Sequence, residues 1–230
     1  RLRASSTLPK TAAPPPALYT PIYEEIRQGN HSGIVVCPSA KVSGTYDRAL
    51  AATKDFPDLD IRVVDTGVIG PALGTLVKKA HQWVSEGDCA DTIIDRLTTL
   101  GKKVKIYFYV DTLEYLHKGG RIGTAKALVG SILQVKPILL FKDGQVNQFE
   151  SHRTKQKALA RLVELVVSEC SADKESHLSI LEADAMSDAL ELSSSFKQHL
   201  KIEHIQITDL PPAIIVHAGP GVLAASFFEY

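Results

Sequence analysis

Arg121 follows two consecutive glycines and precedes a long apolar segment, within residues 118–138. A guanidinium can hold a carboxylate or a phosphate through two parallel hydrogen bonds, and glycine allows positive φ or the close approach of a ligand. The apolar residues that follow recur near helical spacing, and Pro137 is expected to end that helix. This pattern is compatible with a site for a long amphiphile. A glycine turn with a solvated arginine and a core helix is the alternative.

Ser43 and Gly44 lie in a polar loop between a predicted strand, residues 33–37, and the helix that follows it. Hydroxyl and amide groups that collect at a helix N-terminus favour the binding of an anion. A plain Ser/Thr helix cap is the alternative interpretation. The equivalent loop after the next strand begins with Asp65, for which an Asp turn is a sufficient explanation.

His217 precedes a Gly-Pro-Gly turn, and the pattern around it predicts one strand before the turn and one strand after it. A histidine at such a strand end could direct a ring nitrogen at a ligand oxygen, although a lone histidine is more often structural. The other seven histidines lack metal-binding spacing, and the three cysteines form no C-x-x-C pair. The sequence therefore predicts neither a metal site nor a disulfide framework.

The composition excludes several classes of protein. Lys plus Arg and Asp plus Glu both number 26, so the formal net charge is zero. The chain therefore has no overall positive potential that would attract nucleic acid or an anionic membrane surface. No apolar run has the length of a membrane span or a signal peptide. Phosphate-binding P-loop, G-x-S-x-G and G-x-G-x-x-G motifs are also missing from the sequence. We expect a soluble, cytoplasmic protein.

The elements that must position these residues fall into two groups. Residues 33–37 and 61–65 are apolar runs of strand length, each followed by a helical pattern, which favours a parallel sheet. From residue 104 onward the pattern alternates with period two, as in a strand with one buried face. A hairpin signal at 142–144 and a helix that starts at Thr154 follow. The sequence predicts an α/β protein with domains at 1–102 and 103–230.

Five segments, in order, resemble the DegV family of bacterial fatty-acid-binding proteins: SGTYDRALAA, VVDTGVIGPALGTLV, DTLEYLHKGGRIGTAKALVGSILQVKPIL, HRTKQKAL and HAGPGVLAASFF. The resemblance implies a two-domain DegV-like fold, with a parallel-sheet N-terminal domain and a mixed α/β C-terminal domain. The opening strand of the family, with its T-D-S motif, has no counterpart here. The N-terminal domain is therefore expected to lack its first strand.

The resemblance also implies a function. Members of the family hold a long-chain fatty acid, with its carboxyl group near the domain interface and its tail in the second domain. They present that carboxyl group to a separate ATP-dependent fatty acid kinase, which makes an acyl phosphate for phospholipid synthesis. The expected protein is thus a lipid-binding carrier subunit with no catalytic residues, no cofactor or metal, no nucleic-acid partner and only transient membrane contact.

Site residues follow from the family motifs by position. Ser43, with Gly44, matches the serine that binds the carboxylate, His217 matches the histidine of an H-x-G-P-G turn, and Thr11 matches the threonine of a T-S-Q-P segment. Arg121 matches the arginine of G-G-R-I, near the head group or on the face offered to the kinase, and Arg153 matches a basic position for kinase docking. The candidates for the acyl tail are apolar: Leu128, Val129, Ile132, Leu133, Ile138 and Leu139. Two departures are Ala12-Ala13 in place of Ser-Gln and Ala218 in place of a common threonine.

Two further functions remain open from the residues. A serine hydrolase acting on acyl esters would use Ser43 with His217, although no orienting acid is identifiable in the sequence. A phosphate- or nucleotide-binding enzyme would use the helix N-termini.

Overall fold

The computed structural model describes residue 2 and residues 7–131, 135–173 and 176–229. The helices are α1 (Thr20–Gln28), α2 (Thr45–Ala52), α3 (Pro71–Glu86), α4 (Ala90–Lys102), α5 (Glu114–Lys118), α6 (Lys155–Glu169), α7 (Met186–Leu200) and α8 (Pro212–Ala218). The strands are β1 (Gly33–Cys37), β2 (Ile61–Asp65), β3 (Val104–Tyr109), β4 (Lys136–Lys142), β5 (Gln145–His152), β6 (Ser179–Ala183), β7 (Gln206–Asp209) and β8 (Val222–Phe228). Short 3-10 helices occur at Pro16–Leu18, Thr53–Asp55 and Gly123–Ser131.

The chain forms two compact units. The first consists of Ala12–Lys102, and the second combines Lys103–Tyr230 with the segment that ends at Thr11. The chain passes from one unit to the other after Lys102, where the sequence pattern changes. The segment ending at Thr11 groups with the second unit, whereas the sequence assigned it to the first.

The first unit contains a small parallel sheet in which β1 pairs with β2, from Gly33 opposite Ile61 to Cys37 opposite Asp65. Both strands lie where the apolar runs predicted them. Helix α3 buries Ala72, Leu76 and Ala80, which recur every four residues and so share one face. That helix ends at Gly87, which is left-handed with φ 90°.

Helix α1 packs through one large side chain. Tyr23 is buried and packs edge-on against Phe56, with ring centroids 5.4 Å apart, and its hydroxyl donates to the Ala49 carbonyl at 3.3 Å. The preceding residue, Ile22, is 56% exposed. The large tyrosine ring fills the space beneath this short helix, and its neighbour in sequence is directed outward.

The second unit contains a six-stranded mixed sheet in the order β5-β4-β3-β8-β6-β7, in which β6 and β7 are parallel and the other pairs antiparallel. The mixed α/β character predicted for this half is confirmed. The expectation that β3 buries one face is wrong, because Tyr107 and Tyr109 are as buried as Ile106 and Phe108, with which they alternate. Helices α6 and α7 cover the tyrosine face, in a core that includes Leu162, Val166, Leu192 and Phe196.

Burial of the two tyrosines is possible because each hydroxyl has a carboxylate acceptor. Tyr107 donates to Glu169 at 2.9 Å, and Tyr109 donates to Asp111 at 2.8 Å. A buried hydroxyl without such a partner would be unfavourable. Both faces of β3 are therefore buried from Ile106 to Tyr109, and the alternation separates apolar from phenolic side chains.

The connection between β4 and β5 is the predicted hairpin. Its central residues, Asp143 and Gly144, have φ of 53° and 77°, as a two-residue type I′ turn requires. Helix α6 begins as predicted after Thr154, whose hydroxyl accepts from the Lys157 amide at 3.2 Å.

Two segments form a different type of secondary structure from the one that the sequence predicts. Residues predicted as a strand before the Gly-Pro-Gly turn form helix α8, because Pro211 and Pro212 initiate a helix, with Pro212 at its first position. The segment after Arg121 is a 3-10 helix, Gly123–Ser131, and Pro137 lies inside β4 rather than at a helix end. Proline is tolerated there because the pairing of β4 with β3 begins only at Ile138.

Candidate functional site

The candidate site of the second unit centres on His217, which lies near the C-terminus of α8. Its Nε2 atom is 2.8 Å from the Thr11 hydroxyl, a hydrogen bond between residues 206 positions apart in the chain. Both residues were predicted from the sequence to bind the same carboxylate. Thr11 and His217 belong to the same compact unit, because the segment that ends at Thr11 packs with the second unit.

The His217 ring is partly buried, and its surroundings favour the neutral form. Burial lowers its pKa below the usual value of 6.5, and the nearby positive charge of Arg121 lowers it further. Nδ1 is buried and has no hydrogen-bond partner among the residues that the structure describes. A neutral imidazole carries one N–H donor and one acceptor nitrogen, and the one hydrogen bond found for this ring among the described residues is the bond to Thr11.

Arg121 lies beside this pair, at the turn that follows α5. One guanidinium nitrogen donates to the Gly119 carbonyl at 2.8 Å, and the backbone amide of Arg121 donates to the Leu116 carbonyl at 2.9 Å. These bonds hold the arginine against the end of α5. Thr11, His217 and Arg121 thus form a local group with hydrogen-bond donors and one fixed positive charge, which suits an anionic ligand.

Ser43 lies in the first unit, just before α2. Its hydroxyl accepts from the Thr45 amide at 3.3 Å and lies 2.9 Å from the Thr45 hydroxyl, while its own amide donates to the Ser39 carbonyl at 3.0 Å. Gly44 occupies the cap position of α2. The hydroxyl of Ser43 therefore has a local structural role before α2, although the N-cap position itself is Gly44 and has no side-chain cap hydrogen bond.

Asp65 has a larger role than the Asp turn predicted from the sequence. One carboxylate oxygen accepts from the Gly67 amide at 2.9 Å within its own turn and from the Ala40 amide at 3.1 Å in the loop before Ser43. The end of β2 thereby holds the loop that follows β1. The position of Asp65 at the carboxyl end of a neighbouring parallel strand was the available sequence signal.

The candidates for the acyl tail do not form one surface. Ile138 and Leu139 are both fully buried, but adjacent residues of a strand point to opposite faces of the sheet. Ile138 packs in the core beneath α6 and α7, whereas its neighbour faces the other side. Ile138 and Leu139 therefore lie on opposite faces of the sheet, and their assignment to the acyl tail stays a prediction.

The other apolar candidates lie in or after the 3-10 helix. Leu128 is partly buried there. Ile132, Leu133 and the side chain of Val129 lie outside the described part of the structure. Arg153, the candidate for kinase docking, is exposed between β5 and α6.

Other kinds of site lack support in the described part of the chain. There, no group of three or more His, Cys, Asp or Glu side chains is arranged to hold a metal ion. None of the described helices combines the length and apolar character needed to cross a bilayer.

Comparison with known proteins places these features in context. The sequence model of a family described as "Uncharacterised protein, DegV family" matches residues 1–230. A DegV domain-containing protein of Halalkalibacterium halodurans is 31% identical over 229 residues, covering 99% of this chain and 81% of that protein.

Two solved structures are similar in fold. A fatty acid binding DegV family protein from Streptococcus agalactiae has a TM-score of 0.89 at 26% identity, covering 100% of this chain and 81% of that one. A DegV family protein from Thermus thermophilus, whose structure is described as one of fatty acid binding, has a TM-score of 0.87 at 27% identity, covering 99% of this chain and 81% of that one.

Proposed function

This chain belongs to the DegV family, and we propose that it binds a long-chain fatty acid whose carboxylate is held by the group around His217. The observation that carries the proposal is the 2.8 Å hydrogen bond between Thr11 and His217, beside Arg121. It unites three of the residues that the family motifs assign to the head group. The described fatty-acid binding of two similar structures supports the same ligand class.

The energetics of such a ligand divide between its two ends. A carboxylate removed from water needs hydrogen-bond donors, and the hydroxyl of Thr11 and the guanidinium of Arg121 are groups of the required kind, with His217 bonded to the Thr11 hydroxyl. A tail of about fifteen methylenes contributes a gross gain on the order of 10 kcal/mol when it is buried. The head group would then fix orientation, while the tail supplies most of the affinity.

The bound lipid can be tested directly. Protein purified without detergent or organic solvent is expected to carry fatty acid, which native mass spectrometry detects as a mass increment and lipid extraction identifies. Added oleate should bind to delipidated protein with a stoichiometry of one. A protein that is empty on isolation and indifferent to oleate would exclude this function.

The proposed contribution of Ser43 to the carboxylate is tested by Ser43→Ala. We expect the dissociation constant for oleate to rise roughly tenfold, because a hydrogen bond to a charged group is lost. Ser85→Ala is the matched control, since Ser85 is an exposed serine of the same unit whose hydroxyl bonds only within its own helix, to the His81 carbonyl. Equal affinity of the two variants would remove Ser43 from the site.

We further propose that the bound fatty acid is presented to a separate ATP-dependent kinase, and that Arg153 contributes to docking that partner. The exposure of Arg153 between β5 and α6 supports this role. With kinase and ATP present, hydroxylamine should trap an acyl phosphate, and Arg153→Ala should lower its rate of formation while oleate affinity stays constant. ATP consumption by this protein alone would instead favour the nucleotide-binding alternative.

The hydrolase alternative is less well supported. A serine hydrolase orients its histidine with an acid on Nδ1, but Nδ1 of His217 has no hydrogen-bond partner among the described residues. Turnover of acyl esters that is abolished in Ser43→Ala would revive this alternative.

A further inference from the structure

The ends of α5 and α8 contact each other through two aromatic rings and two glycines. A Cβ atom placed on Gly119 would overlap Nδ1 of His217, so the imidazole lies directly against the backbone of Gly119. A Cβ atom on Gly219 would likewise overlap the ring of Tyr115. Each helix end thus supplies one ring and one glycine, and each ring packs against the glycine of the other helix end.

Gly119 and Gly120 are adjacent, but they are glycines for different reasons. Gly119 has φ −77° and ψ −9°, a conformation open to every residue type, so only the lack of space beside His217 and Tyr115 excludes a side chain there. Gly120 has φ 70° with no atom within 4 Å of a Cβ placed on it, so its requirement is conformational. The structural purpose of Gly119 is therefore close contact with the imidazole.

This contact determines which ring nitrogen carries the proton. Nδ1 is covered and has no acceptor within the described part of the chain, and a buried N–H without an acceptor is less favourable than an unused lone pair. The proton is better placed on Nε2, where the Thr11 oxygen accepts it at 2.8 Å. With its oxygen acting as the acceptor, the Thr11 hydroxyl keeps its own proton for another partner.

We infer that Gly119 is a positioning residue that holds His217 as the neutral Nε2–H tautomer, leaving the Thr11 hydroxyl to donate to the carboxylate of the ligand. The inference rests on the proposed fatty-acid function for the identity of that ligand, but not for the state of the ring. In this arrangement His217 acts through Thr11, and Thr11 makes the contact with the anion.

The lowered pKa of His217 is consistent with this arrangement. An imidazolium would place a second N–H on Nδ1, against Gly119 and without an acceptor, and Arg121 would repel its charge. The same contact that fixes the tautomer therefore also opposes protonation.

The test uses the full chain labelled with 15N-histidine and long-range proton–nitrogen NMR spectra, which distinguish the two neutral tautomers. The His217 signal is assigned by its loss in His217→Gln. Wild-type protein should show the Nε2–H form without ligand. In Gly119→Ala, the displaced ring should show both tautomers and a titration shifted toward pH 6.5. Gly120→Ala is the adjacent control, because it strains the backbone without filling the space beside the ring, and it should retain the wild-type signal.

Binding of a fluorescent long-chain fatty acid, displaced by oleate, completes the experiment. Gly119→Ala should bind roughly tenfold more weakly, as expected when one hydrogen bond to a carboxylate is misdirected. An Nδ1–H tautomer in wild-type protein would overturn the inference even if Gly119→Ala fails to fold, and so would an unchanged His217 signal in a folded Gly119→Ala. Absence of binding in wild-type protein would instead remove the proposed function, while the ring measurements would still decide the role of Gly119.

Discussion

At the scale of single residues, His217 is a histidine whose environment opposes charge. Its covered Nδ1 and the proximity of Arg121 both favour the neutral ring, and the bond to Thr11 uses the remaining nitrogen. The neutral hydrogen-bonded pair of His217 and Thr11, beside the fixed charge of Arg121, can bind an anion over the pH range in which the His217 ring does not titrate. Arg121 would supply the charge, and Thr11 with His217 would supply direction.

The preference of His217 for the neutral state is expected to make the stability of the protein depend on pH. The pKa of His217 is lower in the folded chain than its unfolded value of about 6.5, so between these two values the unfolded state binds more protons. The contribution of His217 to the free energy of unfolding is fully present above pH 6.5, and it is lost as the pH falls from 6.5 through the folded pKa. Urea unfolding of wild type and His217→Gln should therefore show a free-energy difference that shifts against wild type on going from pH 8 to pH 5. A difference that is constant with pH, or that shifts in favour of wild type, would contradict the neutral ring.

The sequence indicated the types of these residues better than their partners. His217, Arg121 and Thr11 were identified through family motifs, but the direct bond between Thr11 and His217 was not, because it joins residues 206 positions apart. The contact of Tyr115 with Gly219 carried no sequence signal, since a tyrosine on a short helix and a glycine in a turn each have simpler explanations. Spacing along the chain does not report such long-range contacts.

At the scale of elements, the features that local signals specify were predicted correctly. The strands at Gly33–Cys37 and Ile61–Asp65, the hairpin at Asp143 and the start of α6 all depend on residues within a few positions of one another. The sequence predicts a strand where α8 lies because a short run of β-branched residues resembles a strand, whereas the two prolines before it start a helix. Burial of the tyrosine face of β3 depends on α6 and α7, which lie far along the chain.

The start of α6 gives a prediction at this scale. Thr154→Ala should lower the free energy of unfolding by about 1 kcal/mol, because the Lys157 amide loses its only side-chain acceptor at the helix start. Thr154→Ser keeps an oxygen in the same place and should retain most of the stability. Urea denaturation of the three proteins measures this order, and equal losses in both variants would show that the cap contributes nothing.

At the scale of the whole molecule, the two compact units divide the candidate residues. Ser43 and Gly44 belong to the first unit, and Thr11, Arg121 and His217 belong to the second. The sequence predicted two domains and mixed α/β architecture, which the structure has. It did not predict the membership of Thr11, because a proline-rich segment contains no periodic pattern that would assign it to either unit.

The strand order of the larger sheet has a consequence for how the molecule folds. β8 is its last strand along the chain, yet it lies between β3 and β6, pairing with residues as far away as Val104. Until β8 is available, the sheet exists only as two separate parts, β5-β4-β3 and β6-β7. Such high contact order predicts slow closure of the second unit, whereas the parallel pair of the first unit needs only residues before 103. During synthesis, the first unit can therefore fold before β8 has been made and can pair with β3 and β6 at the centre of the larger sheet.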